Sequence, residues 1–195
     1  PLINAGAHVV TDCLAAHCAR PRQDIIGFVR HLAGNPGIDY DAEVAESERL
    51  TGYRNFALAN FLKSFGNLDN DVDDVLDLYF HQCSISMSCL DLCRAVSFLA
   101  NDGVDPASGE KVVPKSRARR INSLMLTCGL YDAVGNFAFR VGLPAKSGVG
   151  GGIVAVWPGQ LTVCVWSPGL DKSGNSLAGT RALELFARRT GATIF

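Results

Sequence analysis

The chain carries no surplus charge of either sign: 18 lysine and arginine residues stand against 19 acidic ones. That balance supplies no long-range attraction for nucleic acid or an anionic lipid surface, so neither is expected as a partner. The densest basic run, KSRARR at 115–120, is short and reads as a solvated helix face. No apolar run approaches the ~20 residues of a membrane span. No signal peptide is visible, although the chain begins without methionine and directly in apolar sequence. Internal repeats and low-complexity segments are missing too. The seven cysteines (13, 18, 83, 89, 93, 128 and 164) contain no C-x-x-C pair, which excludes a zinc ribbon and a thioredoxin-like motif. Cys13 and His17 have the spacing of two metal ligands on a helix, but no second half of a site accompanies them, and no metal or other cofactor is expected. The thiols are expected to be mostly buried and free, which suits a reducing, cytoplasmic compartment.

What is present is enough apolar residue, 48 % of the chain, to bury a sizeable core. Helical periodicity or helix-start chemistry marks 4–18, 22–33, a long stretch helical at least from Tyr53, 71–83, 88–101 and 114–128. Asn4 and Ser88 are expected as caps, and the acidic first turn of 71–83 complements the helix dipole. Segments 34–41 and 105–110 read as loops. The pattern changes after Gly129: FAFRVG (137–142), IVAVWP (153–158) and LTVCVW (161–166) read as strands, the last two joined by a Pro158-Gly159 turn. A final amphipathic helix follows a cap at Asn175 or Ser176. The expected organisation is a mainly helical part, 1–128, and antiparallel strands plus a C-terminal helix, 129–195.

The most unusual stretch is GLPAKSGVGGGI, residues 142–153, with five glycines. It is not a Walker A loop, because Lys146-Ser147 precedes the glycines and a strand, not a helix, follows. A dinucleotide fingerprint fails as well, since Ile153 stands where its last glycine is needed. One reading is structural, in which glycines before a strand only permit tight packing or a bulge. The other is a K-[ST]-G strand of the kind that edges the active site of serine β-lactamases and penicillin-binding proteins. There the lysine supplies charge, the hydroxyl donates a hydrogen bond, and the glycine lets substrate lie against backbone whose N–H completes an oxyanion hole.

The surrounding segments narrow this reading. PLINAGA (1–7), SERLTGYRNFALA (47–59), LYFHQCSI (78–85), LANDGVDPASGE (99–110), the run from Met125 to Ile153, and WSPGLDKSGNS (166–176) together resemble the serine-dependent glutaminases over essentially the whole chain. The resemblance implies a β-lactamase-like α/β (α+β) fold: a helical domain beside an antiparallel sheet flanked by helices. It implies hydrolysis of L-glutamine to L-glutamate and ammonia through a serine acyl-enzyme, without a cofactor, in a homodimer or homotetramer. Matched by motif, the substrate pocket falls on Asn4, Glu48, Asn55, Tyr79, Tyr131 and Val149. Glu48 suits an α-ammonium group, and Asn4 and Asn55, which donate and accept, suit an α-carboxylate and an amide. Tyr131 beside a lysine suits proton transfer, Val149 N–H suits an oxyanion, and Lys146 supplies electrostatics. Alternative readings are a non-catalytic glutamine or glutamate sensor and a β-lactam-handling relative.

The chain departs from the resemblance at the nucleophile. The serine of an S-x-x-K motif, whose lysine activates it, is expected before the NAGA segment, together with the first part of the sheet and a further tyrosine. The only S-x-x-K string here is Ser108 to Lys111, in a Gly/Pro turn, and is read as coincidence. The chain is therefore expected to be the C-terminal portion of a longer enzyme. Made alone, with a sheet edge uncovered, it is expected to associate or aggregate.

Overall fold

The computed structural model describes residues 4–195, which fall into two units. The first holds residues 4–31 and 35–87; the second holds 32–34 and 88–195. Pro1 of the resemblance's first segment lies outside the described residues, as do Leu2 and Ile3.

The first unit is built from helices α1 (Ala5–His17), α2 (Pro21–Ala33), α3 (Ala42–Thr51), α4 (Tyr53–Ser64) and α5 (Val72–Cys83). Asp41 and Asp71 start α3 and α5, the Asp41 carboxylate accepting the N–H groups of Glu43 and Val44 and the Asp71 carboxylate that of Asp73, donors that would otherwise lack partners. α5 is the central element, with α1, α3 and α4 packed on it. Its Leu76 and Phe80, one turn apart, meet Ala59 of α4 and Leu68 in a buried cluster. Gly52 separates α3 from α4, and an added Cβ there would meet the Glu48 carbonyl and the Phe80 ring at under 3 Å. A pair of two-residue strands, β1 (Asp39–Tyr40) and β2 (Ile85–Ser86), runs antiparallel, the first within the expected loop 34–41 and the second between the expected helices 71–83 and 88–101.

The second unit contains α6 (Cys89–Val96), α7 (Lys115–Cys128), α8 (Val134–Arg140), strands β3 (Ala145–Ser147), β4 (Gly152–Trp157) and β5 (Leu161–Trp166), and α9 (Leu177–Thr190). Ser88 opens α6 with a reciprocal capping box to Asp91, and Ser176, rather than Asn175, caps α9. α6 is shorter than expected, passing at Val96 into a 3₁₀ turn over Ser97–Leu99. The exposed basic side chains of α7 surround a buried Ala118, the solvated face read from KSRARR. The sheet order is β3-β4-β5, antiparallel throughout, with Lys146 opposite Val154 and Cys164 opposite Val154 on its other side. α9 packs on β4 and β5, burying Leu183 with Ile153 and Ala155.

Two expectations fail. FAFRVG is not a strand but the end of α8. Phe137 and Val141 are buried at a spacing of four while Phe139, between them, is almost fully exposed, which is helix geometry rather than strand alternation. The cysteines are all free, as expected, but none is fully buried: Cys13, Cys83 and Cys128 are exposed and the other four are half-buried. Small thiols at outward or boundary positions, on helices and, for Cys164, on β5, carry no packing requirement that would draw them inward. No described helix is long and apolar enough to cross a membrane.

Candidate active site

In the first unit, Asn4 stands at the cap position of α1, but its side chain caps nothing. Its Nδ2 instead donates to Oδ1 of Asn55 on α4 at 3.0 Å. The cap expected at Asn4 is thus replaced by a bond between two residues 51 positions apart. Asn55 lies beside the ring of His8, and His8 stands edge-on to Tyr79 of α5 at 4.7 Å between ring centroids. Tyr79 bonds to Cys83 one turn later. The Cys83 thiol is pushed up from its ordinary pKa by desolvation and by the Glu48 carboxylate of α3, with the Tyr79 bond acting in opposition. Asn4, Asn55, Tyr79 and Glu48 are therefore drawn together through His8 and Cys83. All four are half-buried, so each keeps a face for a ligand. Glu48 makes no ion pair with another described residue, leaving its charge available for a cation.

In the second unit, Tyr131 adopts φ +52, a left-handed conformation that non-glycine residues other than Asn and Asp seldom take. It opens a 3₁₀ turn leading into α8. The Lys146 ammonium stands 4.9 Å over its ring and donates to the Ser147 carbonyl. Desolvation holds this lysine below the ordinary lysine pKa. Ser147 is buried, its N–H donating to the Gly129 carbonyl at 3.1 Å. That close approach requires Gly129: a Cβ there would stand 1.8 Å from the Ala145 carbonyl oxygen.

The glycines after Ser147 form the turn between β3 and β4. Gly148 N–H donates to the Gly152 carbonyl and Gly151 N–H to the Gly148 carbonyl, both at 3.0 Å. The turn is closed by those two bonds, and the Val149 N–H between them has no hydrogen-bond partner among the described residues. The Val149 side chain is 61 % exposed. Gly174, in the DKSGNS loop, faces both Val149 and Tyr131: an added Cβ would touch them at 3.7 and 3.8 Å. Tyr131, Lys146 and Val149 thus share one surface, completed by the loop of the WSPGLDKSGNS segment, whose residues were not among the expected site residues. Ser108 lies elsewhere in its turn, with its hydroxyl and N–H both held by Asp105 at 2.5 and 3.0 Å. That bonding explains its S-x-x-K string as turn chemistry.

A model of the glutaminase family matches residues 1–195. The chain belongs to the glutaminase family. Among relatives, it is 55 % identical over 195 residues to a glutaminase of Vibrio cholerae serotype O1 and 57 % identical over 195 residues to one of Ralstonia nicotianae. In both cases the match takes in 100 % of this chain and 64 % of the relative, so the chain spans under two thirds of the curated relatives' length. Among solved structures, the Bacillus subtilis glutaminase YbgJ superposes with a TM-score of 0.93 at 36 % identity, covering 99 % of this chain and 69 % of that one. That protein was captured as a covalent complex with 5-oxo-L-norleucine formed from 6-diazo-5-oxo-L-norleucine. Mglu in its glutamate form gives 0.92 at 34 %, covering 98 % of this chain and 44 % of that one. The mixed α/β architecture, helices with a small antiparallel sheet, is the β-lactamase-like fold of these glutaminases.

Proposed function

We propose that the protein to which this chain belongs is a glutaminase, hydrolysing L-glutamine to L-glutamate and ammonia. Glu48 pairs with the α-ammonium, and Asn4, Asn55 and Tyr79 bind the α-carboxylate end. A serine from an S-x-x-K motif, contributed by residues other than these 195, attacks the side-chain carboxamide carbon. Its C–N bond then breaks, ammonia leaves with a proton carried by Tyr131, and water releases glutamate from the acyl-serine. Val149 N–H holds the oxyanion in both steps; one such donor is worth ~2.7–4 kcal/mol of barrier. Lys146, its ammonium 4.9 Å over the Tyr131 ring, supplies positive charge beside that phenol.

The observation that carries this reading is the Val149 N–H: the turn is closed by the Gly148 and Gly151 amides and leaves the Val149 N–H free on the surface shared with Tyr131 and Lys146. The YbgJ adduct, in which a glutamine-like diazo ketone has become covalently attached to a 36 % identical protein, supports a nucleophilic route. A cytoplasmic, homo-oligomeric enzyme that needs no cofactor completes the proposal. The test is ammonia release from L-glutamine by the full-length natural protein, with asparagine as control. Glutamine-selective release is the expected result. A folded protein that binds glutamine in calorimetry yet releases no ammonia would turn the assignment to a sensor.

A further inference from the structure

The first helix buries a polar face. His8, Thr11 and Asp12 are its buried residues, and Asn4 stands one turn before His8. Three of these four side chains are matched. Asn4 Nδ2 donates to Asn55 Oδ1 at 3.0 Å, Thr11 Oγ1 accepts from Gln82 Nε2 at 2.9 Å, and the Asp12 carboxylate takes the N–H groups of Asp69 and Asn70 at 3.0 and 2.9 Å. His8 is the exception. It is 0 % exposed, and neither Nδ1 nor Nε2 has a hydrogen-bond partner among the described residues. A buried polar group without a partner is destabilising, and proteins retain few of them. The ring is not isolated, however. Tyr79 meets it edge-on at 4.7 Å and 80°, and the Asn55 carboxamide lies close enough to favour a ring proton. Desolvation outweighs that effect and holds the His8 pKa below its ordinary value, so the ring is neutral near pH 7, with one N–H and one lone pair.

The neighbours explain why an orphan is kept there. In the unliganded arrangement Asn4 and Asn55 satisfy each other. A substrate that recruits the Asn4 Nδ2 breaks that bond, and the Asn55 Oδ1 would then be left bare in a half-buried site. We propose that His8 is a substrate-positioning residue: when glutamine draws Asn4 away, the His8 ring N–H donates to Asn55 Oδ1. That bond turns the Asn55 Nδ2 toward the substrate carboxylate, while the ring edge keeps Tyr79 in plane. The Asn4–Asn55 bond is exchanged rather than lost. This inference rests on the glutaminase reading above and names a residue of its substrate site that motif matching did not.

The test uses the full-length protein with His8→Leu, His8→Phe and His8→Gln, reading KM and kcat for glutamine, calorimetric Kd for glutamine and glutamate, and Tm. His8→Leu and His8→Phe remove the ring donor and the orphan nitrogens together. They should melt no lower than wild type by more than ~2 °C, raise KM and Kd about five- to tenfold, and leave kcat within about threefold, the worth of one net hydrogen bond. His8→Gln, which restores an N–H, should recover most of the affinity. Should His8→Leu fail to fold, His8→Phe, which keeps the ring contact with Tyr79, decides. Unchanged KM in a folded apolar variant would make His8 a core filler and overturn the inference. So would an affinity loss that His8→Gln does not reduce. If the wild type binds glutamine without releasing ammonia, hydrolysis fails as a function and the variant series is judged in Kd alone. A wild type that binds neither glutamine nor glutamate would overturn both.

Discussion

The glycines of the KSGVGGG turn do not have equal work, and substituting them one at a time separates fold from function. Gly151 has φ +94, and a Cβ there would stand 2.2 Å from the Ser167 carbonyl oxygen. The left-handed conformation costs an L-residue ~1–2 kcal/mol. Relieving the overlap requires moving Ser167, whose N–H donates to the Gly151 carbonyl at 3.0 Å, and losing that bond costs ~0.5–1.5 kcal/mol. Gly151→Ala should therefore destabilise by ~2–3 kcal/mol, lowering Tm by ~5–10 °C in a domain of this size. Gly148 and Gly150 differ: an added Cβ meets nothing within 4 Å at either, and neither has a positive φ. Gly148→Ala and Gly150→Ala should melt within ~1 °C of wild type. If substrate lies against the turn beside the Val149 N–H, however, Gly150→Ala should lower kcat at least tenfold, because the methyl occupies the substrate's path. Thermal unfolding by circular dichroism and ammonia release on the same full-length samples read both effects. Equal melting of Gly151→Ala and wild type would refute the steric argument. Full activity of Gly150→Ala would refute the placement of substrate.

Tyr131→Phe should leave Tm near that of wild type and lower kcat on the order of a hundredfold, since proton carriers contribute roughly that much or more; steady-state kinetics decide it, and normal turnover would remove Tyr131 from proton transfer. Glu48→Gln should raise KM for glutamine roughly ten- to a hundredfold with a smaller change in kcat, the loss of a charge-assisted bond of ~1.5–3 kcal/mol; the KM-against-kcat split is the readout. Stability should fall in acid in two stages. An unfolded histidine takes its proton near pH 6.5, but desolvated His8 takes it only at lower pH, so stability drops as pH falls below 6.5. Burial of Asp12 opposes its ionisation, but the N–H groups of Asp69 and Asn70 prevail and hold its pKa below 3.8, so its contribution is lost as pH falls below that value. Urea midpoints against pH should show both stages, and His8→Leu should flatten only the first.

Much of this molecule is legible from residues alone, wherever the determinants are local. Asp71, Ser88 and Ser176 announce helix starts because a short side-chain acceptor and a bare first-turn N–H lie within three residues of each other. IVAVWP and LTVCVW, long enough to show their character and joined by Pro158-Gly159, form the β4–β5 hairpin. FAFRVG is too short to separate a period of two from one of 3.6, and packing of Phe137 and Val141 into one core chose the helix. The three-residue β3 has no pattern of its own and exists because β4 offers its edge.

The site divides along the same line. The residue types at Asn4, Glu48, Asn55, Tyr79, Tyr131, Lys146 and Val149 are written in the sequence, together with the motifs that mark the glutaminase family. Their relations are not. Asn4 reads as a cap until Asn55, 51 residues away, takes its side chain. His8, Thr11 and Asp12 are written at helical spacing, but spacing alone does not say whether they face water or a core. The freedom of the Val149 N–H follows from which neighbouring amides close the turn. Sequence by itself determines the chemistry that can be used and the local conformations that capping and periodicity favour, because those interactions span a few residues. Only the tertiary structure decides which groups meet and which stay unpaired, because those contacts join segments tens of residues apart and depend on how each element packs.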